Sequence, residues 1–96
     1  MGLYVMLGED SPEGTARRPD VRPAHLAYWG PMSAQGRVRY AGPLLDAHEK
    51  PVGSVIIFEA EDLAAARTLA QGDPYVREGV FGILRCHASK QVLPEG

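Results

Sequence analysis

The sequence predicts an α+β fold, a ferredoxin-like plait of β-α-β-β-α-β order. Three observations predict it. Four short runs rich in β-branched and aromatic residues alternate with two stretches of helical period. Glycine or proline punctuates the changes of period. Two of the strand-like runs are also apolar on both faces, more than two helices on one side of a sheet can hide.

The elements follow in order. Leu3 to Leu7 is the first strand, closed by Gly8, and Glu9 to Thr15, with Pro12 and Gly14, reads as a loop. A helix is expected from Asp20 as N-cap, with Pro23 tolerated in its first turn. Val21, His25, Tyr28, Trp29 and Met32 fall on one stripe of it, and Gly36 ends it. Pro31 removes the bond to the carbonyl of Ala27, so Gly30-Pro31 predicts a kink or an early break. Val38 to Leu45 is the second strand, with a bend or bulge expected at Gly42-Pro43. A hairpin-length connection over Asp46 to Pro51 leads to the third strand, Val52 to Ala60. Glu61 and Asp62 put acid at the start of a second helix, where the macrodipole favours it. Its buried stripe is Leu63, Ala66, Leu69 and Ala70, and Gly72 closes it. Val80 to Val92 is the last strand, and Pro94-Glu95-Gly96 reads as a frayed tail.

Ninety-six residues make one domain, spanning 1–96. A net charge of −2 with scattered Lys and Arg gives no nucleic-acid footprint. No apolar run approaches the roughly 20 residues that span a bilayer, so neither nucleic acid nor membrane is an expected partner. The start of the chain lacks a basic n-region and a cleavage site, and Met6 breaks a myristoylation pattern. One cysteine, Cys86, rules out an internal disulfide framework and fits a reducing compartment, so the expected location is the cytoplasm.

Strand three carries Ile56 and Phe58 on one face and Val55 and Ile57 on the other. The last strand sets Leu84, Cys86 and Ala88 opposite Phe81 and Ile83. A wet second face would be an apolar patch larger than monomers carry, and the economical cover is the same face of a second copy. A homodimer through the sheet is therefore expected.

Two residues draw attention for chemistry. His25 sits on an apolar stripe, where a lone histidine is ordinarily a satisfied core or interface residue. Its place near the predicted helix start also suits a neutral imidazole, the form a general base needs. Asp73 precedes Pro74 and has the look of an N-cap to a single helical turn. A carboxylate has lone pairs enough to cap that turn and to face His25 as well. The remaining histidines are weaker candidates: Cys86 and His87 point to opposite faces of a strand, and His48 lies in a polar hairpin loop. No Cys/His spacing matches a zinc site, and no structural metal is expected. Arg22 is a candidate to hold an anionic substrate, Ser54 to line a pocket, and Tyr75 to contact a ligand, although packing is the commoner role for a tyrosine there.

Arg22-Pro23-Ala24-His25-Leu26, the Gly36-Arg37 to Ala41-Gly42-Pro43 segment, and Asp73-Pro74-Tyr75 with Gly79-Val80 occur in an order that resembles the YCII-related family. The resemblance implies a plait dimerising through its sheet into a dimeric α+β barrel. It also implies a pocket with a histidine and an aspartate proposed to be catalytic, which map onto His25 and Asp73. A member with an assigned reaction is a dehydrochlorinase of a chlorinated hydroxyhydroquinone.

Two classes of function follow. One is a small-molecule enzyme without a cofactor, with His25 moving a proton and Asp73 orienting the imidazole, in lyase-like or isomerase-like chemistry. In that case His25→Ala or Asp73→Asn abolishes turnover and leaves the fold intact. The other is a non-enzymatic dimeric module that binds a metabolite or a protein. A cofactor-free monooxygenase on the same architecture ranks third.

Overall fold

Seven elements follow one another along residues 1–95, the part of the chain described by the computed structural model. They are β1 (Gly2–Asp10), α1 (Gly14–Ala34), β2 (Val38–Leu45), β3 (Pro51–Ala60), α2 (Leu63–Gly72), the single turn α3 (Pro74–Arg77) and β4 (Phe81–Ser89). Gly96, the last residue of the expected tail, lies outside the described residues. The strands form one antiparallel sheet in the order β2-β3-β1-β4. Among the described residues, no helix is long and apolar enough to cross a membrane.

One face of the sheet carries the core. Tyr4 and Met6 of β1 and Ile56 and Phe58 of β3 are buried against Val21, Trp29 and Met32 of α1 and Ala66 and Ala70 of α2. The alternate residues Leu3, Val5, Leu7, Val55 and Ile57 are only half-covered on the other face. Tyr40, the cross-strand partner of Ile57, is 55% exposed there. The two-faced character of strand three is therefore real, and the outer face is apolar along Leu3, Val5, Leu7, Val55 and Ile57. Strand four departs from the expectation, because beside Ile83 it turns Arg85 and His87 to that face, where Arg85 pairs with Glu9.

Helix α1 begins seven residues earlier than its sequence predicts, with Glu13 rather than Asp20 at the N-cap. Asp20 is an exposed residue inside the helix, not its N-cap. The reason is tertiary. Glu13, at the true N-cap, makes no side-chain capping bond. Instead Ser11 N–H donates to the Val80 carbonyl at 2.8 Å, and Gly14 N–H donates to the Ser11 carbonyl at 3.0 Å. A docked backbone starts the helix where a cap would otherwise be needed. The helix then runs unbroken through Pro19, Pro23 and Pro31, so the expected break at Gly30-Pro31 does not occur.

Other boundaries move for similar reasons. β1 extends to Asp10 because β4 pairs with it that far, and β4 ends at Ser89 where that ladder stops. Gly42-Pro43 is regularly paired. The irregularities lie at Val38/Tyr40 and Leu44/Leu45, and Pro43 is tolerated because β2 is an edge strand. A shift at Glu9/Asp10 changes the expected facing of β4: Ile83 opposes Glu9, while Phe81 opposes Asp10. That extra residue turns Phe81 onto the core side, away from the face of Ile83. Asp62 caps α2 as its acid predicts, accepting from Ala65 N–H at 2.8 Å.

Candidate active site

The buried stripe of α1 is Gly14, Arg18, Val21, His25, Trp29 and Met32. Spacings of three and four put all six on one face, but three of them carry nitrogen donors. His25 lies about three turns from the helix start, so the dipole argument for a neutral imidazole does not apply. What faces it is Asp73.

Asp73 joins α2 to α3. Its backbone is extended (φ −59°, ψ 128°), as a residue before proline prefers, and its side chain caps α3 by accepting from Tyr75 N–H at 2.8 Å. The same carboxylate accepts from His25 Nδ1 at 2.8 Å (Oδ1) and 3.0 Å (Oδ2). It accepts from Trp29 Nε1 at 2.9 Å as well. Asp73 is wholly buried. Capping and histidine partnership thus coexist in one group, and both readings of Asp73 hold structurally.

Three N–H groups aimed at one carboxylate leave it acting only as an acceptor. Nδ1 of His25 must then carry a proton, which leaves Nε2 as the ring nitrogen available for exchange. Nε2 has no hydrogen-bond partner among the described residues. His25 lines a cleft of about 350 Å³ between α1 and the β2–β3 edge, while Asp73 does not reach it. Asp73 stands behind His25 and reaches the cleft only through the imidazole.

The other expected residues gather here. Arg22, Ser54 and Tyr75 all line the same cleft. Tyr75 stacks on the His25 ring, with centroids 4.0 Å apart and planes 17° from parallel. Burial raises its phenol above the usual tyrosine range; Arg18 and Arg22 pull it back down, and Asp73 and Asp10 add to the rise. The hydroxyl of Ser54 accepts from Arg18 Nη2 at 2.6 Å, so its first partner is protein.

Sequence reasoning missed Arg18, Asp10 and Trp29. Arg18 is 8% exposed, and its guanidinium lies 4.7 Å from the Tyr75 ring centroid. Its Nε donates to Asp10 Oδ2 at 2.9 Å, and its Nη2 donates to the Gly53 carbonyl at 2.5 Å. The signal for Arg18 was its place two turns before His25 on one stripe. Asp10 was read as loop, and nothing in its neighbours marked it. Cys86 and His87 pair with Met6 and Val5, which face opposite sides of the sheet, so they do not share a site. Burial raises the Cys86 thiol, and Arg67 partly counters that. Among the described residues, no three His, Cys, Asp or Glu side chains gather at metal-binding distance.

The chain is thus an α+β plait with an imidazole at a cleft wall and a buried carboxylate behind it. This chain belongs to the YCII-related family, whose domain model matches residues 2–87. Protein YciI of Escherichia coli O6:H1 is 39% identical, over 95% of this chain and 99% of that one. The "Derivative of benzaldehyde biosynthesis cluster protein C" of Emericella nidulans is 33% identical, over 84% of this chain and 92% of its own. Among solved structures, the 5-chloro-2-hydroxyhydroquinone dehydrochlorinase (TftG) of Burkholderia phenoliruptrix, in complex with 2,5-dihydroxybenzoquinone, matches with a TM-score of 0.82. It is 29% identical, over 92% of this chain and 93% of that one. An antibiotic biosynthesis monooxygenase matches with a TM-score of 0.57 at 14% identity, over 96% of this chain and 99% of that one, which shows the fold alone.

Proposed function

We propose that this chain is a small-molecule enzyme working without a cofactor, in which His25 is the general acid/base and Asp73 its positioning partner. The observation that carries this reading is the Nδ1–Asp73 contact at 2.8 Å in a histidine that lines a cleft, which leaves Nε2 as the ring nitrogen without a protein partner among the described residues. A base held in one tautomer by a buried acceptor, next to a pocket of ligand size, fits proton abstraction from a phenol or beside a carbonyl. The proton goes to Nε2, and the electron pair left behind expels a leaving group or shifts a double bond. Arg22, Ser54 and Tyr75 bound the space where a substrate sits.

The similarity to a dehydrochlorinase supports elimination: the proton passes to His25, and chloride departs with the electrons of its own bond. No observation favours a purely binding module over this. The half-covered outer face of the sheet, with Val55, Ile57 and Tyr40, supports a homodimer through that face. We take residues 1–96 as one domain working in the cytoplasm.

The test is solvent-proton exchange. The protein is incubated in D₂O with a panel of small phenolic and carbonyl compounds that includes 5-chloro-2-hydroxyhydroquinone. Deuterium incorporation and chloride release are followed by NMR and ion-selective electrode. The reading expects turnover of at least one compound, falling by about 10²–10⁴-fold in His25→Ala. Equal rates in the variant end it, and ligands that bind but return unchanged and unexchanged favour the binding module.

A further inference from the structure

The ionic character of the cleft is one-sided. Arg18, Arg22 and His25 face it from successive turns of α1, and no carboxylate lines it. Asp10 and Asp73 stand behind, each committed to its own partner. Arg18 is clamped on two of its three nitrogens, Nε by Asp10 and Nη2 by Gly53 and Ser54. Its Nη1 has no protein partner among the described residues and is not among the atoms sealed from solvent. Arg22, one turn on, forms no ion pair among the described residues. Two guanidiniums four residues apart on a helix repel each other, and a bound anion would relieve that repulsion. Around them the wall is apolar, with Pro19, Leu26, Pro43 and Ile56.

We infer that the Nη1 edge of Arg18 and the guanidinium of Arg22 form an oxyanion subsite, so that the cleft takes a small organic anion, a carboxylate or an ionised phenol, beside His25. The inference rests on the reading of this cleft as the substrate site. Asp10 and Ser54 are then positioning residues that hold the guanidinium plane of Arg18 in one orientation, so that Nη1, its one uncommitted nitrogen, offers its N–H groups to an in-plane acceptor oxygen. The volume, near the lower end for small-molecule sites, admits a single-ring acid and little more. The apolar wall calls for an organic body rather than free phosphate.

The test uses binding, not turnover. Benzoate, its neutral counterpart benzamide, and inorganic phosphate are titrated into the full chain and followed by backbone amide shifts. The inference expects benzoate to shift the amides around Arg18, Arg22 and Gly53, and to bind at least about tenfold more tightly than either of the others. Arg22→Met, at an exposed position, should weaken benzoate by about tenfold, and Arg18→Lys, which keeps the charge but not the fork, by a similar factor. Should Arg18→Lys fail to fold, Arg22→Met alone decides. Benzamide or phosphate binding as well as benzoate, shifts elsewhere on the surface, no benzoate binding, or no effect of Arg22→Met would each overturn it. His25→Ala should still bind benzoate. A loss of proton exchange with retained anion binding therefore separates this inference from the catalytic reading.

Discussion

The indole of Trp29 donates from Nε1 to Oδ2 of Asp73 at 2.9 Å, one helical turn beyond the His25 that donates to the same carboxylate. This contact makes the acid a fixed object. Tyr75 N–H and the imidazole alone would leave it free to pivot about its cap, and the indole closes the third side.

Trp29→Phe therefore tests how far His25 depends on a held carboxylate. The variant loses a hydrogen bond to a charged group and part of a ring that is 4% exposed and packs on Phe58 at 5.1 Å. Together these cost about 2–4 kcal/mol, readable in urea unfolding. If the indole also aims the imidazole, kcat falls while KM stays close to its starting value. An unchanged kcat would reduce Trp29 to a packing residue.

Asp73→Asn changes both stability and chemistry, contrary to the expectation from sequence that the fold would be untouched. An amide can accept from only one side, so its NH₂ must oppose Trp29 Nε1–H or His25 Nδ1–H. Relief comes if His25 moves its proton to Nε2, which removes the base. Expected outcomes are loss of turnover and a stability loss of about 2–4 kcal/mol in thermal unfolding. His25→Ala, which leaves Asp73 with its two other donors, should be the milder of the two for stability. If Asp73→Asn melts with the native protein, the carboxylate is not the anchor described here.

Much of this arrangement was legible in the chain. The element order, the stripe through His25 and Trp29, and the capping chemistry of Asp73-Pro74 are local signals, and they survive folding. The start of α1 was not legible, because Gly14 begins the helix through the Val80 carbonyl sixty-six residues away in sequence. Arg18 was not singled out because a guanidinium looks solvated until a buried acid is known to meet it. That acid, Asp10, lies beyond the predicted end of strand one, and only the longer pairing with β4 brings it inward.

Gly14→Ala turns that helix start into a prediction. By intrinsic propensity the change should help, by up to about 1 kcal/mol. A Cβ at this position, however, would overlap the Val80 carbonyl oxygen and crowd Ser11. Backbone cannot swing aside as a side chain can, so overpacking of about 1–3 kcal/mol wins. Chemical unfolding should show net destabilisation, and a stabilised variant would mean the docked start can slide.

Tyr75→Phe reads the buried phenol through its alkaline limb. Burial raises this phenol above its ordinary value of 10.0. The unfolded chain therefore ionises first, and stability falls as pH rises from about 10 through the raised native value. Removing the hydroxyl removes that group's share of the fall while keeping the ring against His25. Unfolding midpoints measured across the alkaline range should decline less steeply in the variant. Tyr28, whose phenol burial also raises, keeps part of the slope in both proteins. Equal slopes would mean that Tyr75 ionises as freely in the fold as out of it.

Ile57→Lys bears on the outer sheet face. Ile57 sits between Val5 of β1 and Tyr40 of β2, half-covered by its own chain. The helices lie on the opposite face, so the lysine is harmless to an isolated chain: its stem can lie on the sheet with the ammonium in water. In a dimer that joins these faces, the ammonium is buried with its nearest acid on that face, Glu59, already paired with Arg39, which weakens association by about a hundredfold or more. Sedimentation should then find the native protein at twice its 10.4 kDa chain mass and the variant at the single-chain mass, with unchanged far-UV circular dichroism. A native protein that sediments as one chain at every concentration would leave the apolar face uncovered and the pairing rejected.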